Sequence, residues 1–212
     1  MRPVICMVTD GRLASGQGGA AWLGRVAAAA QAGAHLIQVR EPLLDDRALA
    51  AVVGRCVTAV RGTRARVIVN DRLDVAVGCG AHGVHLKSDS FAAGRGRAMT
   101  PPGFLIGRSV HSTAEVVAAS DSVDYLIFGT VFSTATKPGR APAGIVALED
   151  AVRATAIPVL AIGGVRAANA ADVARAGAAG IAALGLFADR TKSASSVVDE
   201  IVRAFDLAVS GS

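Results

Sequence analysis

The chain has 212 residues, of which 52% are hydrophobic and 18% charged, a composition that excludes a disordered or fibrous protein and suffices for one well-buried core. The net charge of +5 favours anionic ligands, but aromatic residues make up only 4%, which argues against nucleic acid as a partner because stacking surfaces are missing. No apolar run approaches the roughly 20 residues of a membrane span, so we expect no membrane partner either.

The cysteines indicate a reducing compartment. The chain has three cysteines, Cys6, Cys56 and Cys79. This is an odd number, and the three are widely spaced and form no C-x-x-C pair. The apolar run of residues 4–8 near the start is too short for a secretory signal. We therefore expect a cytoplasmic protein, and the sequence leaves open whether it forms a homo-oligomer.

Short apolar runs alternate with alanine-rich segments of helical spacing along the whole chain. The predicted strands are residues 4–8, 35–39, 67–69, 83–86, 104–110, 125–128, 158–162 and 181–184. The predicted helices are residues 20–32, 46–60, 113–120, 145–154, 168–176 and 195–208, with weaker candidates at 72–78 and 91–99. Strands that are apolar throughout predict a parallel sheet covered by helices, closed as one (β/α)8 TIM-barrel domain over residues 1–212.

An open doubly wound sheet is the alternative fold. Against it, no G-x-G-x-x-G follows the first strand, and we interpret Gly16 to Gly19 as a flexible loop. In a barrel the chemistry lies where the strands end, and polar residues do gather at the predicted C-terminal ends.

The second strand ends in a pair suited to an anion. Gln38 and Arg40 are two residues apart, so their side chains project from the same face, and the planar guanidinium fits phosphate oxygens. An ion pair between Arg40 and Glu41 is the structural alternative.

The third strand ends in Asn70-Asp71, an amide beside a carboxylate, which suits a pyrophosphate chelated by a divalent cation. For the isolated dipeptide, the more ordinary role is the N-cap of the helical segment that begins at Arg72.

Two further segments predict phosphate sites. The sixth strand is followed by Ser133, Thr134 and Thr136, which are hydroxyl donors, and by Lys137, a compact charge. After strands seven and eight, the pair at 163–164 and the segment around Gly185 let backbone N–H groups approach a ligand. We therefore expect two anion sites on one rim.

Cys79, His82 and His85 are residue types that bind zinc. The strand geometry favours ordinary packing roles for the two histidines over a zinc site.

Taken together, the chain resembles the thiamine phosphate synthase/TenI family of small barrels. The resemblance rests on the order of motifs that are each weak alone: residues 7–10 (MVTD), 38–41 (QVRE), 69–74 (VNDRLD), 83–86 (GVHL), 106–111 (IGRSVH), 124–129 (DYLIFG), 134–137 (TATK), 161–164 (AIGG) and 177–180 (GAAG). In that family the synthase joins hydroxymethylpyrimidine pyrophosphate to a thiazole phosphate with Mg²⁺ and releases pyrophosphate. The resemblance thus implies phosphorylated pyrimidine and thiazole substrates.

The resemblance also implies residue roles. The residues implied to hold the pyrophosphate are Gln38, Arg40, Asn70, Ser109 and Lys137, with Arg40, Ser109 and Lys137 as the catalytic donors. Those implied to receive the thiazole phosphate are Thr134, Thr136, Gly164 and Gly185. Asp71 is implied to bind Mg²⁺, together with Asp89 if the loop adjusts.

This sequence departs from the family pattern around the cation site. Pro42 stands where synthases usually carry a lysine, and residues 87–90 read Lys-Ser-Asp-Ser where Gly-Gln-Glu-Asp is usual, so that Ser90 replaces a metal carboxylate. Lys87 could supply the missing positive charge, although it would oppose a neighbouring Mg²⁺. Two alternatives follow: a TenI-type thiazole tautomerase, although Thr130 stands where such tautomerases carry a histidine, or a non-catalytic phosphate-binding paralogue.

Overall fold

In the part of the chain that the computed structural model describes, residues 2–9, 11, 16–134, 139 and 141–210, eight parallel strands close a barrel in sequence order. They are β1 (Val4–Val8), β2 (Leu36–Val39), β3 (Arg66–Asn70), β4 (Gly83–Leu86), β5 (Leu105–Val110), β6 (Tyr125–Gly129), β7 (Val159–Ile162) and β8 (Gly180–Ala183). The helices are α1 (Gly16–Ala32), α2 (Asp46–Ala59), α3 (Leu73–Gly78), α4 (Ala93–Arg97), α5 (Thr113–Ala119), α6 (Gly144–Arg153), α7 (Ala167–Arg175), α8 (Gly185–Ala188) and α9 (Ala194–Ser210).

The (β/α)8 prediction is confirmed, and the open-sheet alternative is wrong because the first and last strands pair. Val4 of β1 lies opposite Gly180 of β8, and Met7 lies opposite Ala183. Every residue of β2, β4, β6 and β8 is buried, since helices cover the outer face while side chains fill the interior. This two-sided burial explains why the strands appear as continuous apolar runs in the sequence.

Two helices differ from the sequence expectation. Helix α1 begins at Gly16, so the segment from Gly16 to Gly19 is the first turn of a helix and the interpretation as a flexible loop was wrong. Glycine disfavours helix by about 1 kcal/mol per residue, but burial of Trp22 and Val26 on the same helix outweighs that cost. The one-turn helix α8 was not predicted, and it is held by the buried ring of Phe187.

In the part of the chain that the structure describes, side chains fill the barrel interior, and the cavity opens at the rim. Alternate strand residues form an interior cluster that includes Cys6, Leu36, Ile68, Tyr125, Leu160 and Ala182. Tyr125 lies over Gly107 of β5, where an added Cβ would stand 2.1 Å from the tyrosine Cζ. A ligand is therefore confined to the end of the barrel where the strands finish. Within the described ranges, no helix has the length and apolar character needed to cross a bilayer.

Candidate active site

A cavity of about 1250 Å³ opens at the C-terminal ends of the strands. The predicted site residues that line it are Gln38, Arg40, Asn70, Asp71, Asp89, Ser109, Thr134, Gly164 and Gly185. The structure thus brings together residues from the ends of seven strands, β2 to β8. The other two predicted residues, Thr136 and Lys137, lie outside the described residues.

Gln38 and Asn70 form a fixed amide pair between β2 and β3. The Gln38 side chain is only 4% exposed, and its Nε2 donates to Asn70 Oδ1 at 2.9 Å. Because that oxygen is already an acceptor for Gln38, the amide nitrogen of Asn70 is the group that can donate to an anion. Burial fixes the orientation of the pair, and the amide presents donors to the cavity before any ligand arrives.

Arg40 is exposed at the end of β2, where its backbone is anchored by a threonine from the neighbouring strand. Its N–H donates to Thr9 Oγ1 at 2.9 Å, and that hydroxyl donates to the Arg40 carbonyl at 3.3 Å. Glu41, the partner in the ion-pair alternative, is buried and accepts a hydrogen bond from Gly11 N–H at 3.2 Å. Sequence reasoning missed Thr9, although a hydroxyl directly after an apolar strand was a usable signal.

Ser109 on β5 is oriented by a buried histidine on β4. His85 Nε2 lies 2.8 Å from Ser109 Oγ, and the imidazole stacks on Tyr125 with ring centroids 5.6 Å apart. Burial lowers the pKa of His85 to about 3, although the charge of Asp71 acts in the opposite direction. The ring is therefore neutral. If Nε2 carries its proton, it donates to Ser109 Oγ and leaves the serine proton free to point at an anion.

Asp71 follows β3 in a left-handed backbone conformation, with φ of +62°. Its N–H donates to the His85 carbonyl at 2.9 Å. Lys87 Nζ lies 2.8 Å from Asp71 Oδ2, and the Ser90 hydroxyl donates to Oδ1. Partial burial would raise the pKa of Asp71, but the hydrogen bonds from Lys87 and Ser90 and the lysine charge outweigh it and hold that pKa below its ordinary value.

The expectation that Asn70-Asp71 caps a helix was wrong. Helix α3 begins at Leu73 with Arg72 in the N-cap position, and no side chain caps it by a hydrogen bond. The Arg72 guanidinium instead contacts Asp74 and Asp46. The Asp71 carboxylate lines the cavity instead and contacts Lys87 and Ser90.

The described residues do not fit a ready-made Mg²⁺ site. Both carboxylate oxygens of Asp71 contact residues of the loop after β4, and Asp89 is exposed on that loop. Among these described residues, no group of three or more His, Cys, Asp or Glu side chains could hold a metal. Mg²⁺ prefers six oxygen ligands in octahedral geometry, whereas here the ammonium group of Lys87 already contacts the Asp71 carboxylate.

The three residues considered for a zinc site, Cys79, His82 and His85, each contact a different group. Cys79 Sγ donates to the Ala50 carbonyl at 3.6 Å, and His82 Nδ1 accepts from Val67 N–H at 3.0 Å. Since His85 contacts Ser109, the three side chains have three different partners, as expected for packing histidines.

The loop after β4 is held in place by Arg108, an outward-facing residue of β5. Its guanidinium donates to the carbonyls of Ser88 at 3.0 Å, Ser90 at 2.8 Å and Phe91 at 3.0 Å. Three charge-assisted hydrogen bonds from one side chain fix the loop that carries Lys87. Sequence reasoning missed this arginine because its role depends on the course of a loop.

The predicted second anion site lies at the end of β7, on the same cavity. Gly163 and Gly164 have φ of +96° and +64°, and an added Cβ on Gly164 would meet the Ser133 carbonyl oxygen at 2.4 Å. Asn169 Nδ2 donates to the Gly164 carbonyl at 3.1 Å and so fixes this turn. Glycine is required here because both the backbone angle and the space forbid a side chain.

Known proteins match this chain over most of its length. A family model described as thiamine monophosphate synthase matches residues 5–186. The thiamine-phosphate synthase of Methanoculleus marisnigri is 44% identical over 189 residues, which cover 86% of this chain and 88% of that protein. The thiamine-phosphate synthase of Roseiflexus castenholzii is 37% identical over 185 residues, covering 86% and 80%.

Solved structures give the same answer. The thiamine phosphate pyrophosphorylase from Pyrococcus furiosus superimposes with a TM-score of 0.82 at 27% identity, covering 97% of this chain and 96% of that one. A 3-hexulose-6-phosphate synthase with a TM-score of 0.69 and 18% identity shares the barrel fold alone. With a family model over most of its length and relatives well above 30% identity, the chain belongs to the thiamine monophosphate synthase family.

Proposed function

We propose that this protein is a thiamine phosphate synthase, which joins hydroxymethylpyrimidine pyrophosphate to a thiazole phosphate and releases pyrophosphate. The observation that carries the proposal is the convergence of Gln38, Arg40, Asn70 and Ser109 on one cavity, in a chain of this family. These side chains supply amide, guanidinium and hydroxyl donors to one cavity. The three free cysteines are consistent with work in the cytoplasm.

The chemistry requires stabilisation of a leaving group. The bond between the pyrimidine methylene carbon and pyrophosphate breaks with its electrons on the pyrophosphate oxygen, and the thiazole supplies the electrons of the new bond. Donors already in position around the developing negative charge lower the barrier without reorganisation. In this proposal Arg40 and Ser109 contact the pyrophosphate directly, with Gln38 positioning Asn70 as the third donor.

The glycine turn at 163–164 and the hydroxyl of Thr134 form the proposed site for the thiazole phosphate. Backbone N–H groups without a neighbouring Cβ can approach phosphate oxygens closely. Thr136 and Lys137, which lie outside the described residues, are proposed as further donors. Binding of Mg²⁺ by Asp71 and Asp89 stays a prediction, and both oxygens of Asp71 already contact Lys87 and Ser90.

The tautomerase alternative is less well supported. It needs a side chain in position to transfer protons to and from the thiazole ring. His111 Nδ1 is engaged with the Gly129 carbonyl, which can only accept, so that this nitrogen carries the proton. His85 is buried against Ser109. Both rings line the cavity, and the unprotonated Nε2 of His111 is the candidate base, but Thr130 stands at the position where such tautomerases carry a histidine.

The proposal is tested by incubating the purified protein with each substrate alone and with both together. Release of pyrophosphate and formation of thiamine phosphate only with both substrates supports the synthase. Conversion of the thiazole carboxylate phosphate tautomer in place of condensation would establish the tautomerase instead. Binding of thiazole phosphate without either reaction would identify a phosphate-binding paralogue.

Lys137→Ala is a second test, of the proposed lysine donor. Loss of one charge-stabilising donor should lower kcat/KM by about 10- to 1000-fold. An unchanged rate would remove Lys137 from the pyrophosphate site.

A further inference from the structure

We propose that the ammonium group of Lys87 acts as a built-in cation for the pyrophosphate, at the position on Asp71 that a divalent metal would otherwise take. The inference rests on the proposed function, because that function identifies the anion as pyrophosphate. Its consequence is that this protein binds pyrophosphate without a metal ion.

The first support is the geometry at Asp71. Lys87 Nζ lies 2.8 Å from Oδ2, and the Ser90 hydroxyl donates to Oδ1. The backbone N–H of Lys87 in turn donates to Ser90 Oγ at 2.9 Å, which closes a small ring of contacts between the carboxylate and the loop. A metal ion on either oxygen would therefore lie beside the ammonium group or share the oxygen with the hydroxyl of Ser90.

The second support is that Lys87 still has donors to offer. Its side chain is 54% exposed and lines the same cavity as Arg40 and Asn70. An ammonium group has three N–H donors, so a single contact with Asp71 leaves donors for phosphate oxygens. Asp71 therefore positions the charge without using up its hydrogen-bonding capacity.

The third support is the rigidity of the loop that carries the lysine. Arg108 donates to the carbonyls of Ser88, Ser90 and Phe91, so the loop is fixed to the outside of β5. A cation held in this way is positioned before the ligand arrives, and its Coulomb repulsion disfavours a second cation on the same carboxylate.

The test measures binding of inorganic pyrophosphate by calorimetry in EDTA and again in Mg²⁺, for the wild type, Lys87→Met and Lys87→Arg. We expect the wild type to bind in EDTA, Lys87→Met to bind at least about tenfold more weakly, and Lys87→Arg to retain most of the affinity because it keeps the charge. Arg95→Met is the matched control, since it removes one positive charge from an exposed position on α4. It should bind like the wild type.

A second readout is the binding of Mn²⁺ followed by electron paramagnetic resonance without pyrophosphate. Removal of the ammonium should allow Lys87→Met to bind Mn²⁺ at least several-fold more tightly than the wild type, because a like charge has been taken from the carboxylate. This measurement also reports that the variant is folded at Asp71. Equal Mn²⁺ affinity in both proteins would count against the inference.

The outcomes separate the inference from the proposed function. Pyrophosphate binding that requires Mg²⁺ in the wild type and is unaffected in Lys87→Met overturns the inference while leaving a synthase intact. Absence of pyrophosphate binding under both conditions overturns both. Metal-free binding that depends on Lys87 upholds the inference even if condensation of the two substrates is not observed.

Discussion

Burial of His85 should make the folded protein sensitive to mild acid. The side chain is 1% exposed, and burial lowers its pKa from 6.5 to about 3. Because the unfolded chain takes up a proton on this ring below about pH 6.5 and the folded chain does not, acid favours the unfolded state. The stabilising contribution is present above pH 6.5 and is lost as the pH falls toward 3.

The size of the effect follows from the two pKa values. In the window between them, the free energy of unfolding falls by about 1.4 kcal/mol per pH unit, so between pH 7.5 and 5.0 the loss from this ring is about 2 kcal/mol. Urea unfolding of the wild type and of His85→Gln at both pH values measures it. Glutamine keeps an amide N–H that can donate to Ser109, and it does not titrate.

We expect the wild type to lose about 2 kcal/mol more than His85→Gln over this range. Burial also lowers the pKa of His35 and His82. Both residues are present in the wild type and in His85→Gln, so their contributions cancel when the two losses of unfolding free energy are subtracted. His82→Gln is a graded control, since its ring is only half-buried and should recover less of the loss. Equal acid sensitivity in the wild type and His85→Gln would refute the reasoning and with it the neutral donor proposed for Ser109.

Three further predictions concern the cavity itself. Gln38→Ala removes a buried donor to Asn70 and should cost about 1–3 kcal/mol of unfolding free energy and raise KM for the pyrophosphate substrate; a stable variant with normal KM would contradict the positioning role. Arg40→Met should leave the melting temperature unchanged, because the side chain is exposed, while kcat/KM falls by about 10- to 1000-fold; parallel loss of stability would point to a structural role. Gly164→Ala forces a Cβ against the Ser133 carbonyl at positive φ, and we expect a cost of about 1–3 kcal/mol with weaker thiazole phosphate binding, measured by thermal unfolding and calorimetry.

The fold could be predicted because burial acts on both faces of each strand. Apolar runs such as residues 83–86 have to be covered on two sides, and only a parallel sheet with helices outside satisfies that requirement. The prediction that Gln38 and Arg40 face the same side followed from their spacing, because side chains two residues apart on a strand project from the same face. These features depend on local sequence and on the parallel arrangement, both of which are readable without coordinates.

Other features depend on contacts that no local pattern contains. The pairing of Asp71 with Lys87 requires the register of β3 against β4 and a positive φ at a residue other than glycine. As an isolated dipeptide, Asn70-Asp71 favoured a helix cap, and that local preference lost to the loop after β4. Arg108 was similarly invisible, because its partners are three carbonyl groups and carbonyls carry no sequence signature.

The contact between Tyr125 and Gly107 limits how this barrel can change over evolution. The phenol ring fills the space next to Gly107 on the neighbouring strand, so a side chain at position 107 is excluded as long as Tyr125 is present. The order of substitution matters: Tyr125 has to become smaller before a side chain can enter at 107, since the reverse order passes through a clash. Relatives with a residue larger than glycine at position 107 should therefore carry a residue smaller than tyrosine at position 125.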